Sequence, residues 1–390
     1  MVKLFRKMDK PLFFITIFMF IFGLIMIFSA SYVKAITSID NAYYYLVRQG
    51  IILIACFIAF LILIKFPLKF YKSFYKMIIF SAIALIIGVY FFGSVLNGSR
   101  SWFSLPYFNF QPSELAKIAI IIYMAFYYEK NRNNNSDYKI ALMPFIPVAI
   151  IFVFVAAQPD LGSAIIIGLL SFVTFLAVPL LPEVKKKTNK IIFLTIVFVG
   201  FIVGILLLSG KSGLYEYQLQ RLNFLKPCAR YTEVGTGYQV CNSYIAINNG
   251  GLFGVGIGNS TQKYLYLPEA HTDFIYPVIV EELGLIIGAC ILLVYGYIIY
   301  RILKIAKNSY NLSSGIICYG VAAYIFIHIF VNLTGVLGLL PLTGVPIPFL
   351  SYGGSYALCL TISLILVQRV AIETYSLKQE ERLKNKIKEV

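Results

Sequence analysis

Three acidic residues share one setting in this chain. Glu114 follows Gln-Pro-Ser, Asp160 follows Gln-Pro, and Asp273 follows His-Thr; each stands where a polar stretch runs into a long apolar one. A carboxylate at the lip of a bilayer is costly unless it is paired, hydrated or put to use. Once positioned, it can take a proton from an attacking group as a general base. Asp160 reads first as a helix N-cap, a place that favours aspartate for its own reasons. Asp273 reads as functional, because Thr272 beside it offers an alternative cap and a loop of more than sixty residues, from Gly210, delivers the site.

Cations and aromatics stand near these acids. Glu114 and Lys117 are three residues apart and so share a helix face. Two readings stay open for them: a structural ion pair, or Lys117 facing a phosphate with Glu114 holding it. Arg100 suits bidentate phosphate contact. Trp102, the one tryptophan in the chain, reads as an interface anchor or a platform for a sugar. The run GGLFGVGIG at 250–258 lacks a flanking strand-helix unit and reads as a close-packed re-entrant turn that brings Lys263 and Asp273 to the membrane. SYGGS at 351–355 is no nucleophile elbow. His328 and Asn332 share a face of one helix and read as interhelical hydrogen-bonding residues. With two histidines in the chain, a Cys/His zinc site is dismissed. No GxxxxGK[ST] loop occurs, which counts against an ATP-driven pump.

The elements that must hold these residues are membrane helices. The chain has 390 residues, 59% hydrophobic and 13% charged, too apolar for a water-soluble domain of this size. Its uncharged runs are long enough to cross a hydrocarbon core of about 30 Å. The expected fold is all-α and polytopic, with ten helices near 11–33, 46–64, 77–96, 114–128, 140–157, 161–181, 191–209, 274–300, 312–340 and 354–372. One transmembrane domain then spans 1–372, with a large outer loop at 210–273 and a short tail at 373–390. The first helix is expected to be retained, because its apolar run is too long for a signal peptide and no small-residue cleavage site follows.

Of the 33 Lys and Arg residues, 24 fall in segments on one side of this topology. The positive-inside rule makes that side cytoplasmic, with both termini there. The net charge of +16 therefore sets orientation and touches anionic membrane lipids. No basic helix interleaved with aromatics argues for nucleic acid. The outer connections at 97–114, 210–273 and 341–355 are rich in Pro, Gly and aromatics, which places the working face outside. Cys56, Cys290, Cys318 and Cys359 are expected as buried helix residues. Cys228 and Cys241 share the outer loop, where a disulfide or two free thiols are both open.

Taken together, these stretches resemble the SEDS family of shape, elongation, division and sporulation proteins (FtsW, RodA and SpoVE). The residues that carry the resemblance are NGSRSWFSLPYFNFQPSELAK, QPDLGSA, the stretch from GYQVCNSYIAINNGG through QKYLYLPEAHTDFIYPVIVEELG, and LGLLPLTGVPIPFLSYGGS. They cover nearly the whole chain. QKYLYLPEAHTDF leans towards the division (FtsW) or sporulation branch, and LGLLPLTGVPIPF suits the elongation branch equally. Ser101 stands where the family has a second Arg, Asn248 and Asn249 replace a small Gly-Ser pair, and Tyr276 and Tyr356 replace a Phe and a Ser.

The resemblance implies a peptidoglycan glycosyltransferase that polymerises lipid II beside a class B penicillin-binding protein. It makes Asp273 the catalytic acidic residue, the general base, and assigns Trp102, Arg100, Glu114 and Lys117 to the substrate. One carboxylate suffices for such chemistry, since a diphosphate leaves without being protonated, unlike an ordinary glycoside. Desolvation at the membrane edge is expected to raise the pKa of Asp273. Arg100, Lys117, Arg221 and Lys263 are the candidate cations for the departing charge, with a divalent ion, Mg or Mn, as an additional candidate and no metal-ligand residues assigned. A lipid II flippase and a non-catalytic scaffold are the alternatives. The first needs a polar path to the cytoplasmic side, where the helix ends carry few polar clusters.

Overall fold

The computed structural model describes residues 2–96, 99–104, 109–134, 137–194, 224–231, 235–264 and 266–388. Its helices are α1 (Val2–Lys7), α2 (Lys10–Ile39), α3 (Tyr44–Leu63), α4 (Leu68–Phe92), α5 (Pro112–Lys130), α6 (Tyr138–Leu142), α7 (Phe145–Ala157) and α8 (Leu161–Leu176). They continue with α9 (182–194), α10 (Thr236–Gly250), α11 (Ile275–Asn308), α12 (Leu312–Val336) and α13 (Gly354–Lys388). Among the described residues, seven spans are long and apolar enough to cross a membrane: α2, α3, α4, α6 with α7, α11, α12 and α13. The chain is a multi-pass membrane protein.

Nine of the ten expected helices have counterparts here. The seventh, near 191–209, lies largely outside the described residues; its first four residues, 191–194, belong to α9. The expected loop at 183–190 is helical instead. Its PEVKKKTNK opens on Pro182, which suits a first helical position, and lysine is a good helix former. The large loop holds helix α10, and the tail is an unbroken extension of α13 past residue 372. Between α4 and α5 the chain makes a three-stranded antiparallel meander, β1 (Ser94–Leu96), β2 (Ser99–Ser104) and β3 (Asn109–Phe110), an addition to the all-α expectation. Ser94 pairs with Trp102 and Phe103 with Phe110.

Helices α12 and α13 are the buried centre, with α5 packed on both; α3 is largely bare and buries only Gln49 and Cys56. Small residues on α12 (Ser313, Ser314, Gly315, Cys318, Gly320, Ala322, Ala323) are buried and let its neighbours approach closely. Cys290, expected to be buried, is exposed on α11. Its helix needs only part of its surface for packing.

α11 is broken. Gly284 has φ 87° and ψ 166°, a conformation that costs a side-chain-bearing residue and not glycine. Backbone groups freed inside a membrane must find other partners. The glycine run supplies them: Leu285 N donates to Gly251 O (2.9 Å), Val255 N to Glu281 O (2.9 Å) and Gly256 N to Glu282 O (2.9 Å). The run 250–258 is thus a close turn, with the broken helix as the surface it packs against. Asn249, where the family has a small residue, donates to the buried Glu281 carboxylate at 3.1 Å.

Candidate active site

At the loop end of the bundle a cavity of about 410 Å³ opens among α3, α5, α8, the turn before α11 and the loop 341–353. Asp273, Trp102, Glu114 and Asp160 all line it. Three loops far apart in sequence thus deliver the acids singled out above to one wall.

Asp273 sits two residues before α11, whose N-cap position is Phe274, so it is no cap. Its backbone carbonyl accepts from Asn332 Nδ2 at 2.8 Å, and the same amide donates to Val345 O at 2.8 Å. Ser351 Oγ donates to Thr272 O (2.7 Å), and Tyr352 N donates to His271 O (2.9 Å). The loop 341–353 is thereby a pedestal for residues 271–273. Gly344 lies against the carboxylate: it has φ +70°, and a Cβ there would be 3.2 Å from Asp273 Oδ2.

Asp160 does cap α8, accepting from Ser163 N at 3.1 Å, while its other oxygen accepts from Gln111 Nε2 at 3.0 Å. Ser355 of SYGGS donates to Asn109 O (2.8 Å) and accepts from Gln111 N (3.0 Å), so this motif anchors the strand that leads into α5. Trp102 is half-buried on β2 and presents its side chain to the cavity.

The cations distribute differently from expectation. Lys117 is fully buried, 2.6 Å from Glu114 Oε1 and 3.2 Å from His328 Nε2. Tyr324 OH donates to the other oxygen of Glu114 at 3.3 Å. The structural ion pair is the arrangement found, and Lys117 does not line the cavity. Lys263 is also buried and lies elsewhere, 2.9 Å from Glu282 Oε1 and 3.2 Å from Ser29 Oγ, beside the break in α11. Arg100 is exposed on β2 and does not line the cavity. Arg221 lies outside the described residues. A buried cation is drawn to a buried carboxylate because neither can stay unpaired out of water. Both lysines had such a partner within reach.

Several wall residues escaped the sequence reading. Glu269 lines the cavity, with Lys34 at 3.5 Å and the Thr272 hydroxyl at 2.8 Å. Burial pushes its carboxyl up, but Lys34 and Thr272 outweigh that and hold it below its usual range. His271 lies behind the wall rather than on it, buried against Tyr45 (4.5 Å between ring centres) and Tyr352 (5.6 Å). Burial, then the Lys34 cation, bring its pKa down to about 4. Arg48, on α3, is the one Lys or Arg among the described residues that line the cavity. A charge inside an otherwise apolar helix was the signal that would have found it.

Among the described residues no group of three or more His, Cys, Asp or Glu side chains converges to hold a metal ion. Glu114 and Asp160 already have both oxygens engaged. The donor set does not fit a resident Mg or Mn ion. Cys228 and Cys241 form a disulfide, which closes that choice.

The FTSW_RODA_SPOVE model, described as cell cycle protein, matches residues 10–376. The chain belongs to the FtsW/RodA/SpoVE family. Similar members include the probable peptidoglycan glycosyltransferase FtsW of Bacillus subtilis, 33% identical over 95% of this chain and 92% of that protein. The FtsW of Coxiella burnetii is 35% identical over 90% and 93%, and stage V sporulation protein E of B. subtilis is 32% identical over 92% and 94%. The fold is shared with a chain of a peptidoglycan synthase complex that coordinates polymerization and crosslinking (TM-score 0.74, 24% identity, 94% of this chain and 98% of that one). It is shared also with Thermus thermophilus RodA (TM-score 0.66, 23% identity, 94% and 98%). Membership in the FtsW/RodA/SpoVE family accounts for the motifs that meet at the cavity, and the FtsW branch is well represented among the relatives.

Proposed function

We propose that this chain is a peptidoglycan glycosyltransferase that polymerises lipid II at the outer face of the cytoplasmic membrane during division or wall growth. The observation that carries the reading is the placement of Asp273, half-buried on the wall of a cavity at the loop end, in a chain related to named FtsW proteins over nine-tenths of its length. The basic connections favour an orientation with both termini cytoplasmic and the cavity outside, and the nine expected helices found among the described residues support a ten-helix topology.

Asp273 accepts the proton of an acceptor-sugar hydroxyl as its oxygen bonds to the donor anomeric carbon. The bond to the diphosphate oxygen breaks at the same carbon, and the polyprenyl diphosphate leaves with the electron pair. Attack opposite the leaving group inverts the centre. Trp102 offers a face for sugar stacking. Glu114, on the cavity wall, and Lys117, behind it, act by holding α5 to α12, a role supported by their burial. The kinship in fold with a chain of a synthase complex supports a class B penicillin-binding protein as partner.

The test is polymerisation of purified lipid II by the chain with its partner synthase. Asp273→Asn is expected to make no strand while remaining monodisperse and partner-bound. Wild-type-like strands from this variant would end the assignment. Transfer of fluorescent lipid II across sealed liposomes without polymer would favour a flippase instead.

A further inference from the structure

We propose that Asn332 is a positioning residue for Asp273: its side-chain nitrogen fastens the backbone of the catalytic turn and that of the loop 341–353 to helix α12. This rests on the glycosyltransferase reading above. Asn332 lies one turn from the end of α12 and is 3% exposed. Its Nδ2 donates to Asp273 O and to Val345 O, each at 2.8 Å. A side-chain amide nitrogen carries two hydrogens, and both are used here. The residue shares a helix face with His328, where a helix-to-helix hydrogen bond is expected. Asn332 instead joins two stretches of irregular backbone that meet at the cavity.

Both acceptors bear on the carboxylate. Asp273 O belongs to the reacting residue itself. Val345 follows Gly344, where an added Cβ would stand 3.2 Å from Asp273 Oδ2. The two bonds therefore fix the backbone that carries the carboxylate and the wall it rests against. Three successive carbonyls of the turn are held: His271 O by Tyr352 N, Thr272 O by Ser351 Oγ, and Asp273 O by Asn332. The first two donors belong to the loop 341–353 and move with it. Asn332 stands on a helix, and α12 is among the most buried spans. It ties turn and loop to one rigid frame, and a reacting group misplaced by about 1 Å loses roughly 100-fold in rate.

Packing alone does not account for this amide. Asn332 Oδ1 is buried with no hydrogen-bond partner among the described residues, and a buried acceptor left so costs stability. The other way up, the amide would turn its oxygen towards two carbonyl oxygens, so Asp273 O and Val345 O set its orientation. His328, one turn earlier, gives the loop a second hold, with Nδ1 3.4 Å from Pro346 O. That contact bears on the loop, whereas Asn332 joins the loop to Asp273.

The test is steady-state polymerisation of purified lipid II by the full chain with its partner synthase, with Tm measured beside it. Asn332→Leu removes both donors and is expected to lower kcat about 10- to 100-fold with KM within about twofold, because the turn shifts while the rest of the cavity stays. Asn332→Asp keeps the shape and donates at most one of the two bonds. It is expected to lose about 3- to 10-fold in kcat, and it carries the test if Asn332→Leu does not fold. Tyr128→Phe is the control. It removes a buried bond of the same length, from Tyr128 OH to Ala141 O at 2.8 Å, at the far end of α5, and should lower Tm while kcat stays at the wild-type value. Wild-type kcat in both Asn332 variants overturns the assignment, as does a raised KM at unchanged kcat or an equal loss of kcat in Tyr128→Phe. A wild-type chain that makes no strand, matched by Asp273→Asn, removes the glycosyltransferase reading itself. Strands made equally fast by the wild type and by the Asn332 variants remove the positioning role and leave that reading standing.

Discussion

Replacing Gly344 with alanine perturbs the catalytic carboxylate from behind. The residue has φ +70°, and its new Cβ would stand 3.2 Å from Asp273 Oδ2. Comfortable contacts of this kind lie at about 3.5–4.0 Å, so the carboxylate must retreat by a few tenths of an ångström. Left-handed backbone adds a stability cost of about 1–2 kcal/mol for a residue with a side chain. A reacting group displaced by about 1 Å loses roughly 100-fold in rate, and a third of that displacement gives about 5-fold. Gly344→Ala should therefore lower kcat for lipid II polymerisation about 3- to 10-fold, with KM nearly unchanged. Gly258→Ala is the control: φ there is +86°, but nothing lies within 4 Å of the added Cβ. It should cost similar stability and leave the rate alone. Steady-state strand synthesis in detergent, with Tm measured beside it, reads both. A Gly344→Ala enzyme at full rate, or a Gly258→Ala enzyme equally slowed, would refute the placement of Asp273 at the reacting centre.

Three further outcomes follow from buried charges and the loop crosslink. Lys117→Met strands Glu114 in the core and should cost about 3–5 kcal/mol, with much of it restored by Glu114→Gln in the same chain; a stable single variant that has lost only substrate affinity would instead favour a phosphate-facing lysine. His271 falls from its usual value near 6.5 to about 4 because burial disfavours the cation. The native imidazole stays neutral while the unfolded one protonates, so stability is complete above about pH 6.5, declines towards pH 4 and is level below, by on the order of 3 kcal/mol in all. Thermal melts of His271→Phe should lack this decline, and an unchanged pH profile would contradict it. Opening the Cys228–Cys241 bridge by the paired serine substitutions should lower stability by roughly 3 kcal/mol in the chain-entropy model. Mass spectrometry that finds two free thiols at these positions in native protein would dismiss the bridge.

Much of this protein was legible in its residues because the relevant physics is local. Long uncharged runs must be helices in lipid, since only a helix satisfies its own backbone there. Asp160 caps α8 as its type and place suggested, and Asp273 avoids a capping role as its neighbourhood suggested. The glycines at 250–258 were readable as a close turn, though not the broken helix they serve. Tertiary packing alone decided the cations. Lys117, Lys263 and Arg48 look alike in sequence, each a positive charge near an apolar stretch. The first two are buried against Glu114 and Glu282 and the third lies on the cavity wall, because helix packing determines which side chains are brought into the core and which face the cavity. No spacing rule reaches across the 253 positions between Ser29 and Glu282, nor between α3 and the loop before α11, where burial turns a weak surface attraction into an obligatory pair.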